Sequence, residues 1–309
     1  MSQRANTRHV PKSLPYRIEW TTVLLFAGCL AALCLGVWAL AAVPLLAGVV
    51  VVLALVLHAS LSHEVLHGHP FPSRRVNEAL VIVNPGLFIP YIRFRDTHLA
   101  HHQDANLTDP YDDPETNYLD PDVWAALPRW RQRVLALNNT LLGRMAVGPV
   151  VAQATFMAQD GRAIRRGDRQ VLLGWVLHVP GVVLVLSVIA ASPMALWQYL
   201  ICCYGALSIL KIRTFLEHQA HEKARGRTVI VEDRGLLAFL FLNNNFHVVH
   251  HMHPRVPWYR LPALYAAHKG RYLGCNEGYR YSSYRDVFAR YALRAKDPVP
   301  HPLWPSSKG

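Results

Sequence analysis

The chain is short of charge. Only 17% of its 309 residues are Asp, Glu, Lys or Arg, against roughly 25% in an average soluble domain, while 52% are hydrophobic. It is also short of cysteine. The five present (Cys29, Cys34, Cys202, Cys203 and Cys275) show no C-x-x-C spacing, and four of them sit in apolar runs. Cysteine there behaves as a small hydrophobe, so no structural disulfide, zinc ribbon or cysteine-held iron–sulfur cluster is expected. No G-x-G-x-x-G fingerprint for a flavin or nicotinamide occurs. Fixed-period repeats, low-complexity tracts and flexible linkers are missing too.

What the chain does have is apolar runs of bilayer-crossing length, in windows 21–66 and 171–210. The formal charge is +12, and of the 32 Lys and Arg residues four precede residue 20, twelve fall between 74 and 169, and sixteen follow 210. That is the positive-inside pattern, not a nucleic-acid stripe, and it places both termini and the middle segment in the cytoplasm. "WTTVLLFAGCLAALCLGVWALAA" (20–42) reads as a first transmembrane helix, retained although Ala39-Leu40-Ala41 looks like a signal-peptidase site. Pro44 opens a second helix, and the 18 residues from Leu45 to His63 rise roughly 27 Å at 1.5 Å each. Residues 171–192 and 194–222 read as the third and fourth.

The segment 79–92, broken by Pro85, Gly86 and Pro90, suits a re-entrant or interfacial stretch, and 123–170 suits helices lying against lipid. "LLAFLFL" (236–242) is too short to span. The expected fold is therefore all-α: an integral membrane protein with four transmembrane helices in two hairpins and a cytoplasmic helical cap. Residues 1–19 form a cytoplasmic lead, 20–270 the membrane domain and 271–309 a cytoplasmic tail.

The 17 histidines are not scattered. "SLSHEVLHGHPF" (60–71) holds His63, Glu64 and His67; "HLAHH" holds His98, His101 and His102; "HVVHH" holds His247, His250 and His251. Spacings of three and four put side chains on one helical face. A lone H-E-x-x-H suggests a zinc peptidase with Glu64 as general base. That rival leaves the other two boxes unexplained. A metal transporter is the non-enzyme rival, but transporters hold ligands within the span and these histidines lie beyond helix ends. Eight imidazoles exceed what one tetrahedral zinc accepts and point to two metals with nitrogen ligands, which suits iron among other first-row ions.

The set H-x-x-x-H, H-x-x-H-H, H-x-x-H-H resembles the membrane fatty acid desaturase and hydroxylase superfamily, which includes acyl-lipid desaturases, alkane hydroxylases and carotenoid ketolases. The likeness covers about 45–265, and "NNNFHVVHHMHPRVPWYRLP" (243–262) is similar to the third box and its Pro-Trp tail in bacterial members. It implies a non-haem di-iron centre, O2 as co-substrate, and oxidation of an aliphatic lipid chain in a bacterial inner membrane. It also implies nine ligands: His63, His67, His98, His101, His102, His247, His250, His251 and a further histidine after the last span, with His218 preferred to His221. Fatty acyl desaturation is favoured over hydroxylation or ketolation. Animal acyl-CoA desaturases resemble H-x-x-x-x-H in the first box, and the shorter spacing here leaves a CoA thioester less secure. Electrons are expected from a ferredoxin or rubredoxin with its reductase.

Around the ligands, Glu64, Glu217, Asn244, His221 and either Asp104 or Asp109 are the candidates to support a ligand histidine. Arg93, Arg95 and Arg213 are candidates for an anionic head group or lipid phosphate. His178 reads as a buried, hydrogen-bonded structural residue and His58 as packing or support. His69 and His253 flank boxes, whereas His9, His268 and His301 read as surface.

Overall fold

A computed structural model describes residues 18–305 apart from 41, 104–105 and 114; Asp104 and His9 lie outside these. The described helices are α1 (Trp20–Cys34), α2 (Pro44–Leu66), α3 (Arg74–Val81), α4 (Tyr91–Gln103), α5 (Pro121–Ala126), α6 (Arg129–Asn138) and α7 (Leu141–Arg165). They continue with α8 (Arg169–Ala191), α9 (Leu196–Thr214), α10 (Leu236–Leu240), α11 (His247–Met252), α12 (Leu261–Ala267), α13 (Lys269–Cys275) and α14 (Tyr284–Tyr291). Two short parallel strands, β1 (Ile230–Val231) and β2 (Arg280–Tyr281), pair with each other.

Helix starts follow local chemistry. Pro44 opens α2 at a position where its missing N–H costs nothing. Asp168 caps α8 by accepting from the N–H groups of Gln170 and Val171, and Thr140 caps α7 by accepting from Gly143. After α1 the chain continues through a π-helical turn, Leu35–Ala39. A Cβ on Gly36 would lie 2.6 Å from the Val51 side chain, so glycine sets the closeness of this turn to α2. Helix α2 is the central post, packed against α1 and α9, with α7 against the other side of α9. Val51, Val56, Leu61, Leu141 and Phe241 are among the buried residues that fill this core.

Four helical segments are long and apolar enough to cross a membrane: Trp20–Ala39, Pro44–Leu66, Leu141–Arg165 and Arg169–Ala191. Three coincide with expected spans. The fourth does not: the stretch 123–170, read as interfacial, contains the uninterrupted 25-residue α7. Conversely, the helix expected over 194–222 stops at Thr214. His218 instead sits in extended chain bridged to Thr228, with Gln219 and Val229 donating to the carbonyls of Arg227 and Glu217. Those cross-strand bonds take up the groups that a continuing helix would have used.

Residues 82–90 form a non-helical loop tucked against α8 and α9. His178, buried in α8, bonds the Leu87 carbonyl at 2.6 Å, and Tyr199 of α9 donates to the Pro85 carbonyl at 2.8 Å. Side chains thus satisfy backbone groups that an apolar environment would leave unpaired. The residues after 270 are woven into the body: β2 pairs with β1, Leu142 donates to the Ala292 carbonyl, and Leu119 donates to the Val299 carbonyl while accepting from the His301 amide.

Gly143 is where this weave is tightest. A Cβ there would lie 1.9 Å from the Leu137 carbonyl oxygen, which the backbone cannot yield without reshaping the α6–α7 turn. Gly161 on the same helix has open space. Gly143→Ala should lower thermal stability in detergent by about 1–3 kcal/mol. Gly161→Ala should be neutral or stabilising by up to about 1 kcal/mol, since alanine favours helix. Equal melting temperatures for the two variants would contradict the close approach.

Candidate metal centre

Three helices and one extended segment deliver the histidines to one place. His63 comes from the last turn of α2 and His67 from its C-cap; α4 supplies His98, His101 and His102, and α11 supplies His247, His250 and His251. His218 arrives from the stretch beyond α9. The chain enters α11 through a turn in which Leu242 and Asn243 both take left-handed conformations, φ 50° and 55°, a geometry that asparagine tolerates better than leucine.

The imidazoles fall into two groups that could each hold a metal ion: His63, His67, His98, His102 and His250, and His101, His218, His247 and His251. Within each, one ring nitrogen per residue lies within 4.8 Å of all the others. The Nε2 atoms of His63 and His98 face each other at 3.0 Å and those of His101 and His218 at 2.9 Å. His247 Nε2 is 3.3 Å from His218 Nε2 and 3.1 Å from His251 Nε2. The groups adjoin through His102 and His251, stacked at 4.1 Å between centroids.

Three of the other ring nitrogens are held by side-chain acceptors. His101 Nδ1 lies 2.8 Å from Asp113, His98 Nδ1 3.0 Å from Glu115, and His247 Nδ1 2.9 Å from the Asn244 side-chain oxygen. Glu217 stands 3.9 Å from His247 Nδ1 and receives the Asn244 amide at 3.5 Å. A proton on each Nδ1 turns the Nε2 lone pair inward. His218 Nε2 then faces two lone pairs, on His101 and His247, and one proton serves only one of them. Among the described residues the buried Nε2 atoms of His67, His102 and His250 have no partner. A cation at each group answers the inward-facing Nε2 lone pairs, so the donor set fits a pair of nitrogen-liganded metals.

Electrostatics agree with that fit. Burial, then the neighbouring imidazoles, hold His102 and His218 down at about 3. The same causes keep His67, His247, His250 and His251 well below the usual histidine range. These rings are neutral, as ligands must be. His101 is the exception: burial opposes its charge, but Glu115 and Asp113 outweigh it and push the ring up to about 9. Asp113 is held down by His101 and by the Thr108 and Glu115 amides, in spite of its burial. Carboxylates that attract a proton to His101 attract a divalent cation equally.

Several expected supports are displaced. Asp113 and Glu115 hold the rings, whereas Asp109 only caps the turn at Tyr111 and Asp112. The acidic run signals its closeness to the second box, but only its fold selects the carboxylates: Asp113 accepts from the Thr108 and Glu115 amides and is thereby turned inward. Glu64 supports no ligand ring; it accepts from the Trp258 backbone at 3.1 Å, so it fixes the Pro-Trp tail of the third box. His221 bonds around Lys223 and is outside both groups. His69 pairs with Glu19 at 2.7 Å, His253 packs on Tyr272, and His58 packs on Phe26 beside Ser62. His301 is buried, not at the surface, and lies 3.3 Å from the Thr108 hydroxyl. The three arginines are paired: Arg93 with Asp160, Arg95 with Glu78 and Asp96, and Arg213 with Glu217. Internal pairing, not a head group, occupies them.

Removing one orienting carboxylate should therefore weaken metal binding without removing a ligand. Asp113→Asn is expected to cost about 10- to 100-fold in metal affinity, and Asp109→Asn nothing measurable, by equilibrium dialysis of the apo-protein. Equal effects of the two would contradict the assignment.

The chain matches the fatty acid desaturase family over residues 36–283. It is similar to an omega-3 fatty acid desaturase of the endoplasmic reticulum from Nicotiana tabacum, 23% identical over 231 residues, which are 65% of this chain and 58% of that protein. The chain thus spans less than two thirds of that curated relative's length. With the family matched over most of the chain, four helices of membrane-crossing length and two histidine groups fit for metal, this protein belongs to the fatty acid desaturase family.

Proposed function

We propose that the protein is an O2-dependent di-iron oxidase that desaturates a fatty acyl chain carried by a membrane lipid. The observation that carries the reading is the pair of histidine groups, five and four imidazoles with their lone pairs turned inward. All nine proposed ligands are in them. Bound there, two ferrous ions supply O2 reduction and removal of hydrogen from an unactivated C–H bond, with two electrons from outside.

The chain's own residues do the rest. Burial favours the neutral form of His67, His102, His218, His247, His250 and His251, while Asp113, Glu115 and Asn244 fix the direction of His101, His98 and His247. Helices α2 and α9 pack together directly before the two groups and give their surroundings an apolar lining. With no nicotinamide or flavin fingerprint in the sequence, electrons are assigned to a ferredoxin or rubredoxin with its reductase.

The proposed membrane arrangement has α1, α2, α8 and α9 crossing as two hairpins, with both termini and the histidines on the cytoplasmic face of a bacterial inner membrane. Helix α7, though long enough to span, is then laid along that face. Two contacts support this: its first turn bonds Ala292 of the tail, and Asp160 near its end takes both guanidinium donors of Arg93 on α4, the helix of the second box. Both ends thus meet the elements that surround the metal centre.

Mass spectrometry of lipids from cells expressing the protein with redox partners tests the reaction. A new double bond that requires O2 is expected, falling to background in His101→Ala, His250→Ala and His251→Ala. A new hydroxyl or ketone would replace desaturation by hydroxylation or ketolation, and full activity with zinc alone would overturn the di-iron reading.

A further inference from the structure

His218 is held unlike its companions. Eight of the nine histidines sit on, or at the cap of, a helix, where periodicity aims them; His218 lies four residues past the end of α9, in extended chain. Among the described residues no side chain grips its Nδ1 as Asp113 grips His101, and only the Arg227 carbonyl lies beside the ring. Its direction must come from its backbone. That backbone is gripped from two sides by residues far away in sequence. The Lys296 ammonium donates to the His218 carbonyl at 3.2 Å, and the Tyr118 hydroxyl accepts from the Ala220 amide at 2.9 Å. Both grips meet at one carboxylate: Tyr118 donates to Asp297 at 2.7 Å, and Lys296 pairs with the same Asp297 oxygen.

The clamp is anchored in turn. Lys296 donates its amide to the Asn139 carbonyl, the Asn139 side chain bonds the Asp297 carbonyl, and the Lys296 ammonium lies 5.7 Å from the Tyr279 ring centroid. Tyr279 itself donates to the Leu216 carbonyl at 2.8 Å, fixing the chain just ahead of His218. The Lys296 side chain is only 7% exposed. An ammonium so far from water is costly unless its bonds are well made, and here they converge on the one histidine segment that no helix carries. Two residues further on, Val299 and His301 bond Leu119, at the end of the loop that carries Asp113 and Glu115.

We propose that Lys296 and Asp297, acting with Tyr118, are positioning residues for the four-imidazole metal site: a C-terminal clamp that sets His218 against His101 and His247. The proposal rests on the metal-centre reading. It separates the two sites, because the five-imidazole group contains no residue that the clamp holds directly.

Anaerobic equilibrium dialysis of the full-length apo-protein in detergent, with Co2+ as probe, tests it. Wild type should take up two ions per chain. Lys296→Met should keep one at wild-type affinity and bind the other about 10- to 100-fold more weakly. Tyr118→Phe, which keeps the ring and loses only the shared hydroxyl, should weaken the same ion less. His218→Ala should weaken that ion too, and adding Lys296→Met to it should cost nothing further, a non-additivity that general destabilisation does not produce. Two ions at wild-type affinity in both Lys296→Met and Tyr118→Phe would overturn the clamp while leaving the metal centre standing. So would full additivity with His218→Ala. Wild type that binds no second ion would overturn the metal-centre reading itself.

Discussion

Nine imidazoles turned toward one another inside a protein are an unstable arrangement unless something positive lies between them. Among the described residues, three of their Nε2 atoms, on His67, His102 and His250, are buried with no partner, and each such group costs about 1–3 kcal/mol. The sum is comparable with the whole stability of an ordinary domain, about 5–15 kcal/mol. Protons relieve only part of this, because burial keeps most of the rings neutral and His218 Nε2 faces two lone pairs at once. The groups make physical sense as holders of cations, and much of the fold serves to collect and aim them.

That service is divided. Helices α2, α4 and α11 supply ring direction by periodicity, so eight histidines need little beyond a correct helix start. Asp113, Glu115 and Asn244 then choose the tautomer by occupying Nδ1. Glu64, one residue after His63, works at a distance: its bond to the Trp258 amide ties the segment after the third box to α2. The arginines that looked free for an anion are spent in pairs that lock α4 to α3, α7 and itself. Charge inside this protein holds elements in register around the metal groups; it does not face outward to a ligand.

The sequence makes some of this readable and hides the rest for identifiable reasons. Spacing of three and four exposes the histidines of α4 and α11, because helical periodicity is a local property. His218 had to be taken from family likeness, since the chain around it is extended and carries no periodic sign. The acidic run announced its neighbourhood, but which carboxylate turns inward depends on the turn bonds to Thr108 and Glu115, which composition does not encode. Helix α7 was missed as a single long helix because its apolar residues are interrupted by Gln153, Gln159 and Asp160. Asp160 is explained by Arg93, 67 positions away in the chain, and by the Trp175 indole. His301 and the tail were invisible for the same reason: their partners at 108, 118 and 119 are remote.

The central claim is that two separate metal ions, each held by nitrogen, occupy these groups. Quantitative metal analysis of the purified chain, combined with X-ray absorption at the iron edge, tests it most directly. The account predicts two irons per chain, each surrounded by imidazole nitrogen with no sulfur neighbour. A single metal per chain, or a shell built on sulfur or chiefly on carboxylate oxygen, would contradict it.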